Sequence, residues 1–131
     1  MSLILLAGGK SSRINTDKAF LKFKDKFLVE TIIDKLINLF DNIIIVANGN
    51  LNKYNEIIEK YNNHFLKNKI NKKIILKKDI IKNKGPLGGI YTGLKTAKDN
   101  NNFILACDMP FINVGLIKYM LNFKDFDAVV P

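Results

Sequence analysis

Three short stretches hold residue types suited to gripping a polyphosphate. In the first, an apolar run, Leu3-Ile4-Leu5-Leu6, stops at Ala7-Gly8-Gly9 and gives way to Lys10, Ser11, Ser12, Arg13, Asn15, Asp17 and Lys18. The run is short, apolar and closed by glycines, which is the pattern of a buried strand. Glycines lack a Cβ, so the loop after it can bring backbone close to a ligand. Exposed N–H groups together with Arg13 and Lys18 would neutralise phosphate oxygens. Of the 21 lysines and arginines, Arg13 alone is arginine, and its planar fork suits phosphate better than a lysine point charge. Two standard phosphate motifs do not apply. Gly9-Lys10-Ser11 imitates the end of a Walker A loop, but Ile4 stands where that motif needs its first glycine. The spaced glycines of the dinucleotide fingerprint are missing too. Read alone, the Gly-Gly pair is equally an ordinary tight turn.

The second stretch is Gly85-Pro86-Leu87-Gly88-Gly89-Ile90. Proline suits the first position of a helix, and the glycines after it would bare backbone N–H groups at the positive end of the helix dipole. Each glycine inside a helix costs about 1 kcal/mol relative to alanine, so Gly88, Gly89 and Gly93 need a reason. A nucleotide phosphate is one, and close packing of the helix on a sheet is the other. The third stretch, Phe103-Ile104-Leu105-Ala106-Cys107-Asp108-Met109-Pro110, delivers one carboxylate at the end of an apolar strand. A lone Asp there suits Mg²⁺, which keeps several waters and takes one or two protein carboxylates. A turn or cap aspartate is the plainer reading. Asp79, six residues before Gly85, is on its own a loop acid among lysines.

These residues also carry a resemblance. Leu6-Ala7-Gly8-Gly9-x-x-x-Arg13-x-x-x-Asp17-Lys18-Ala19 resembles the signature loop of the nucleotidyltransferases typified by molybdenum cofactor guanylyltransferase, with Ile14-Asn15 where that family usually has Met-Gly. Gly85 to Gly89 is similar to the family's Gly-Pro-Leu-(Ala/Gly)-Gly element, and Cys107 to Pro110 to its Cys-Asp-Met-Pro motif. The resemblance implies transfer of GMP from GTP to the phosphate of molybdopterin, with Mg²⁺ as cofactor and GTP and molybdopterin as substrates. It implies Lys18, Arg13 and Asp108 as catalytic residues and Asp108 as the metal ligand. Leu6, Ala7, Gly8, Gly9, Lys18, Asp79, Gly88 and Asp108 would line the nucleotide. The same motifs serve transferases with other acceptors, including cobinamide phosphate, sugar phosphates and cytidylyl acceptors. A nucleotide-binding module without turnover is the reading from outside the enzyme class.

The elements that would position these groups alternate. Apolar residues from Leu28 to Phe40 fall at helix spacing. Asn42 to Ala47 is a β-branched run that reads as a buried strand. Leu51, Tyr54, Ile57, Ile58 and Tyr61 fit one helix face, and Asn62 to Asn71, with His64, reads as a solvated surface loop. Lys73 to Leu76 is a third strand, Leu87 to Ala97 a helix, Phe103 to Ala106 a fourth strand, Asn113 to Leu121 a helix capped by Asn113, and Asp127 to Val130 the start of a fifth strand. Alternating strands and helices predict an α/β fold, a three-layer, mostly parallel Rossmann-like sheet. The resemblance narrows this to the nucleotidyltransferase (nucleotide-diphospho-sugar transferase) type. Ligands then bind beyond the carboxyl ends of the strands. Residues 1–131 read as one nucleotidyltransferase domain, and the family's usual length implies the nucleotide half with the C-terminal acceptor side short or absent. Strand edges left open would be covered in a homodimer, or the chain is a monomer.

Composition bounds the rest. A net charge of +9 raises nucleic acid as a partner, but the lysines are spread along the chain and no nucleic-acid motif accompanies them, so none is expected. Lys67 to Lys84 holds eight lysines and one acid, either a solvated face or an attractor for anionic substrates. No apolar run approaches the roughly 20 residues of a membrane span, and no signal peptide is visible. The single Cys107 fits a reducing, cytoplasmic setting and reads as a small buried apolar residue.

Overall fold

The computed structural model describes residues 1–7, 18–79, 86–107, 112–123 and 128, with backbone only at 18, 23 and 86. Four strands form a parallel sheet: β1 (Ser2–Leu6), β4 (Asn42–Ala47), β5 (Lys73–Lys78) and β6 (Asn102–Ala106), in the order β5-β4-β1-β6. Between β1 and β4 lie a 3-10 turn (Lys18–Phe20), a two-stranded hairpin of β2 (Lys22–Phe23) and β3 (Lys26–Phe27), and helix α1 (Leu28–Leu36). A second 3-10 turn (Ile37–Leu39) after α1, and helices α2 (Leu51–Lys67), α3 (Pro86–Thr96) and α4 (Val114–Met120), complete the described elements.

The sheet is covered on both faces because its central strands are apolar at every position after the first, Ser2 in β1 and Asn42 in β4. Leu3 and Leu5 of β1, with Ile43, Ile45 and Ile74 of its neighbours, turn to one face and meet Val29, Ile32, Ile33 and Leu36 of α1, Tyr54, Ile57, Ile58 and Phe65 of α2, and Ile117 of α4. Ile4, Ile44 and Val46 turn to the other face, where they pack with Leu6 and Ala97. Alternation of side chains along a strand makes the two clusters separate. The α/β reading, the parallel sheet and the three layers therefore hold, and solved structures of the same architecture are described below.

The helix expected over Leu28 to Phe40 is α-helical to Leu36 and tightens into a 3-10 turn over Ile37–Leu39. Three further features differ from the sequence reading for a tertiary reason. Helix α2 continues through the polar residues expected to be a loop and ends at Lys67. Phe65 is the reason: it lies one helical turn beyond Tyr61 and is buried against the core. His64 is therefore an exposed helical residue, with Asn68 closing the helix on its carbonyl at 2.8 Å. Strand β5 runs to Lys78, because pairing with β4 continues through Val46↔Lys77 and Ala47↔Lys78. The hairpin has no glycine or asparagine to announce it. Its turn uses Lys24 and Asp25 at φ 50 and 68, the left-handed geometry of a two-residue hairpin turn. Asn113 caps α4 as expected, accepting from the Leu116 N–H at 3.1 Å. The fifth strand, Asp127 to Val130, lies outside the described residues apart from residue 128.

Two side chains fasten layers together. Asn62 of α2 reaches the edge of β5, donating to the Ile74 carbonyl and accepting from its N–H, each at 2.9 Å. It does for the strand edge what another strand would do. The Tyr61 hydroxyl donates to Asp34 of α1 at 2.7 Å, and Asp34 also pairs with Lys26 of the hairpin at 2.6 Å. Burial first, and the bond to Asp34 second, raise the Tyr61 phenol above its usual range.

Two outcomes follow for stability. Asn62→Ala strips both polar groups of Ile74 of their partner and should cost about 1–3 kcal/mol in a denaturant midpoint measurement. Gly93→Ala forces a methyl against Ile4 of β1, and despite alanine's better helix propensity it should cost about 1–3 kcal/mol.

Candidate active site

The strand tips converge because the sheet is parallel and in register. Leu6 of β1 pairs with Val46 on one side and Ala106 on the other, and Val46 pairs in turn with Lys77. The hydrogen-bond ladder continues one residue past each strand. Ala7 N–H donates to the Val46 carbonyl at 2.8 Å, Cys107 N–H to Leu6 at 3.0 Å, and Asp79 N–H to Ala47 at 3.1 Å. Ala7, Asp79 and Cys107 are thus fixed at the same carboxyl edge, where such sheets take their ligands.

Helix α3 starts at this edge. Pro86 opens it, as the sequence predicts. Its glycines divide by role. A Cβ on Gly89 would stand 3.0 Å from Leu6 Cδ2 and 3.8 Å from Val46 Cγ1, and one on Gly93 would collide with Ile4. Close packing is therefore the reason for Gly89 and Gly93. Gly88 is buried in the first turn, and its carbonyl accepts from the Thr92 hydroxyl at 2.9 Å. The same hydroxyl lies 3.3 Å from Asp79 Oδ1. Gly88 and Asp79, nine positions apart and on different elements, are joined through one buried threonine. Thr92 is absent from the sequence reading, since a threonine within a helix carries no signal of its own.

The Lys18 backbone reaches the same end of the molecule by a different device. Ala19 and Phe20 are buried. The Phe20 ring meets Phe27 edge-on at 5.4 Å and Tyr54 at 4.6 Å, and Lys53 Nζ covers it at 5.3 Å. Tyr54 and Lys53 belong to the first turn of α2, which follows the tip of β4. The apolar pair after Lys18 thus pins this segment beside the edge, a role the sequence reading missed although Ala19-Phe20 directly follows the lysine.

The structure thus brings together Leu6, Ala7, Asp79 and Gly88, with the Lys18 backbone alongside. Gly8, Gly9, Arg13 and Asp108 lie outside the described residues, as does the Lys18 side chain. Gly8 follows Ala7 directly in the chain and Asp108 follows Cys107. Cys107 is buried and in no disulfide. Among the described residues no group of three or more His, Cys, Asp or Glu side chains could hold a metal. A multi-ligand cage for a soft metal is not built from them. Of the two strand-tip carboxylates singled out in the sequence, Asp79 is described and Asp108 is not. Among the same residues no helix is long and apolar enough to cross a membrane.

Comparison with known proteins finds relatives of the chain and solved structures of similar fold. A probable molybdenum cofactor guanylyltransferase of Peptoclostridium acidaminophilum is 42% identical over 119 residues, covering 91% of this chain and 47% of that protein. One from Clostridium perfringens (strain SM101 / Type A) is 38% identical over 132 residues, covering 99% of this chain and 58% of the other. The chain thus spans about half the length of these curated relatives. Among solved structures, a nucleotidyl transferase from Methanothermobacter thermautotroptrophicus superposes with a TM-score of 0.66 at 16% identity, over 95% of this chain and 57% of that one. Molybdopterin-guanine dinucleotide biosynthesis protein A from Archaeoglobus fulgidus gives 0.57 at 22% identity, over 92% and 53%. At such identities the two structures speak for the fold alone. The profile of the MobA-like NTP transferase domain matches residues 3–131, nearly the whole of the sheet, the α3 start and the strand tips just described, and the chain belongs to that family.

Proposed function

We propose that this chain is the nucleotide-handling portion of a molybdenum cofactor guanylyltransferase, transferring GMP from GTP to the phosphate of molybdopterin. The observation that carries the reading is the meeting of Ala7, Asp79 and the Gly88 turn of α3 at one carboxyl edge. The relatives named above, matched over nearly all of this chain, support the choice of reaction.

In this reaction an oxygen of the acceptor phosphate bonds to the α-phosphorus of GTP, the bond from that phosphorus to the β-phosphate bridging oxygen breaks, and pyrophosphate leaves with the electron pair. No protein nucleophile is required, so the protein acts by positioning and charge neutralisation. Leu6, Ala7, Gly8 and Gly9 supply backbone contacts to the nucleotide, the Ala7 N–H itself being committed to Val46. Arg13 and Lys18 neutralise the triphosphate and the leaving pyrophosphate. Asp79 accepts a hydrogen bond from the nucleoside, and Gly88 lets the start of α3 approach it. Asp108 is the residue that would hold Mg²⁺, which when bound supplies charge neutralisation at the α-phosphate and the leaving group. The net charge of +9 favours the encounter with anionic GTP and a phosphorylated pterin. We place the reaction in the cytoplasm, where the buried thiol of Cys107 stays reduced.

The decisive measurement is pyrophosphate release over the four nucleoside triphosphates with a panel of phosphorylated acceptors. Release that needs GTP and molybdopterin together upholds the proposal; release with another acceptor moves the chain to a sister activity, and GTP binding without release makes it a binding module. Asp108→Ala should abolish Mg²⁺-dependent release with the circular dichroism spectrum unchanged, and undiminished turnover would remove Asp108 from the site. Lys18→Ala should weaken GTP binding about tenfold or more by calorimetry, the loss of one charge-assisted contact.

A further inference from the structure

Thr92 is only 1% exposed, in the middle of α3. Its hydroxyl sits between two acceptors, the Gly88 carbonyl at 2.9 Å and Asp79 Oδ1 at 3.3 Å. A hydroxyl has one proton to donate, so the two compete for it. A threonine that merely follows helix geometry donates to the carbonyl four residues back, and Gly88 is that residue. Asp79 comes from a different element, the tip of β5, and bonds to charged acceptors are the stronger kind. The Asp79 backbone is meanwhile held from the opposite side by its N–H bond to Ala47. A main chain fixed on β4 and a carboxylate oxygen drawn towards α3 leave the side chain little rotational freedom.

We propose that Thr92 is a positioning residue for nucleotide recognition: its buried hydroxyl holds the Asp79 carboxylate in the rotamer that faces the nucleoside of a triphosphate lying across the start of α3. The inference rests on the reading of Asp79 as a nucleotide contact and adds the group that aims it. A carboxylate offers about four acceptor sites, so the bond to Thr92 does not exhaust it. The ligand groups it recognises are donors, a sugar hydroxyl or a ring N–H. Pre-orientation matters because a freely rotating carboxylate would lose rotamer entropy on binding. Thr92 also ties this carboxylate to the Gly88 turn, so the acid and the helix start meet the nucleotide as one rigid unit.

The test compares two probes by calorimetry on the whole chain. GTP engages Asp79, whereas inorganic tripolyphosphate engages the glycine loop and its cations but has no nucleoside. Thr92→Val, equal in shape but without the hydroxyl, should weaken GTP about 5- to 10-fold, the scale of one lost hydrogen bond, and leave tripolyphosphate affinity unchanged. Thr92→Ser should restore GTP binding to within about twofold, since the hydroxyl returns. In an Asp79→Ala background Thr92→Val should add nothing, because the two act as one unit. Should the valine variant fail to fold, Thr92→Ala carries the same comparison. Wild-type GTP affinity in Thr92→Val, with affinity lost in Asp79→Ala, overturns the positioning role and leaves Asp79 in place. Unchanged affinity in Asp79→Ala removes Asp79 from the nucleotide and the role of Thr92 with it. Equal losses for GTP and tripolyphosphate in Thr92→Val would mean that the hydroxyl only holds the helix start, which also overturns the inference.

Discussion

Helix α3 lies on β1 with no room for a side chain between them. A Cβ on Gly93 would overlap Ile4, and one on Gly89 would press on Leu6. Glycine within a helix costs about 1 kcal/mol relative to alanine, and here the cost secures a close approach that no larger residue permits. The approach has a consequence at the far end of the helix. With α3 drawn down onto the sheet, its first turn comes level with the tips of β1 and β5, and Gly88, Thr92 and Asp79 become neighbours. A helix standing at the ordinary spacing of about 10 Å from the sheet would carry that turn away from the strand ends. The geometry of the candidate site is thus set by packing several residues away from it.

The opposite face of the sheet supplies rigidity by ordinary means. Its core joins α1, α2 and α4 to the inward side chains of the strands. What it contributes to the site is indirect. Phe20, wedged between Phe27 and Tyr54, holds the segment after Lys18 against the start of α2. The hairpin is held to α1 in turn by the Lys26–Asp34 pair, and α1 to α2 by Tyr61. The Lys26–Asp34 ion pair is solvent-exposed and contributes little to stability by itself. Together the ion pair and the Tyr61 hydrogen bond keep the hairpin, and with it the 3-10 turn before it, against α1 and α2. On the outer strand, Asn62 occupies the N–H and carbonyl of Ile74, which blunts an edge that would otherwise invite pairing.

The family's chemistry fits this division. A transfer without a protein nucleophile asks the fold for placed donors and charges, not for a reactive side chain with a shifted pKa. A parallel sheet does this well, because all its strands end at one edge and present backbone and short loops there. The chain spans about half the length of its curated relatives. Cys107, buried at the β6 tip with its N–H committed to Leu6, acts as packing at the base of the site.

Much of this was written in local pattern. The β-branched and apolar runs dictated the strands, and their alternation with helical spacing dictated a parallel sheet, because a crossover between parallel strands needs a helix of about that length. Gly8-Gly9, Gly85 to Gly89 and Cys107 to Pro110 are the stretches the sequence offers for ligand chemistry, and of these only residues 86–89 and Cys107 are among the described ones. Other features depended on contacts between residues distant in sequence. The end of α2 was set by Phe65 finding the core, not by the polarity of Asn62 to His64. The turn at Lys24 and Asp25 was set by the strands it joins. Which glycines serve packing and which stands at the helix start was decided by the register of α3 on β1. The pairing of Thr92 with Asp79, 13 positions apart, exists only once β5 and α3 are side by side. Sequence determined which residues are suited to bind and which segments form strands, because those depend on side-chain type and near neighbours; the tertiary structure alone decided which of them meet, because a hydrogen bond between two elements depends on where the core places both.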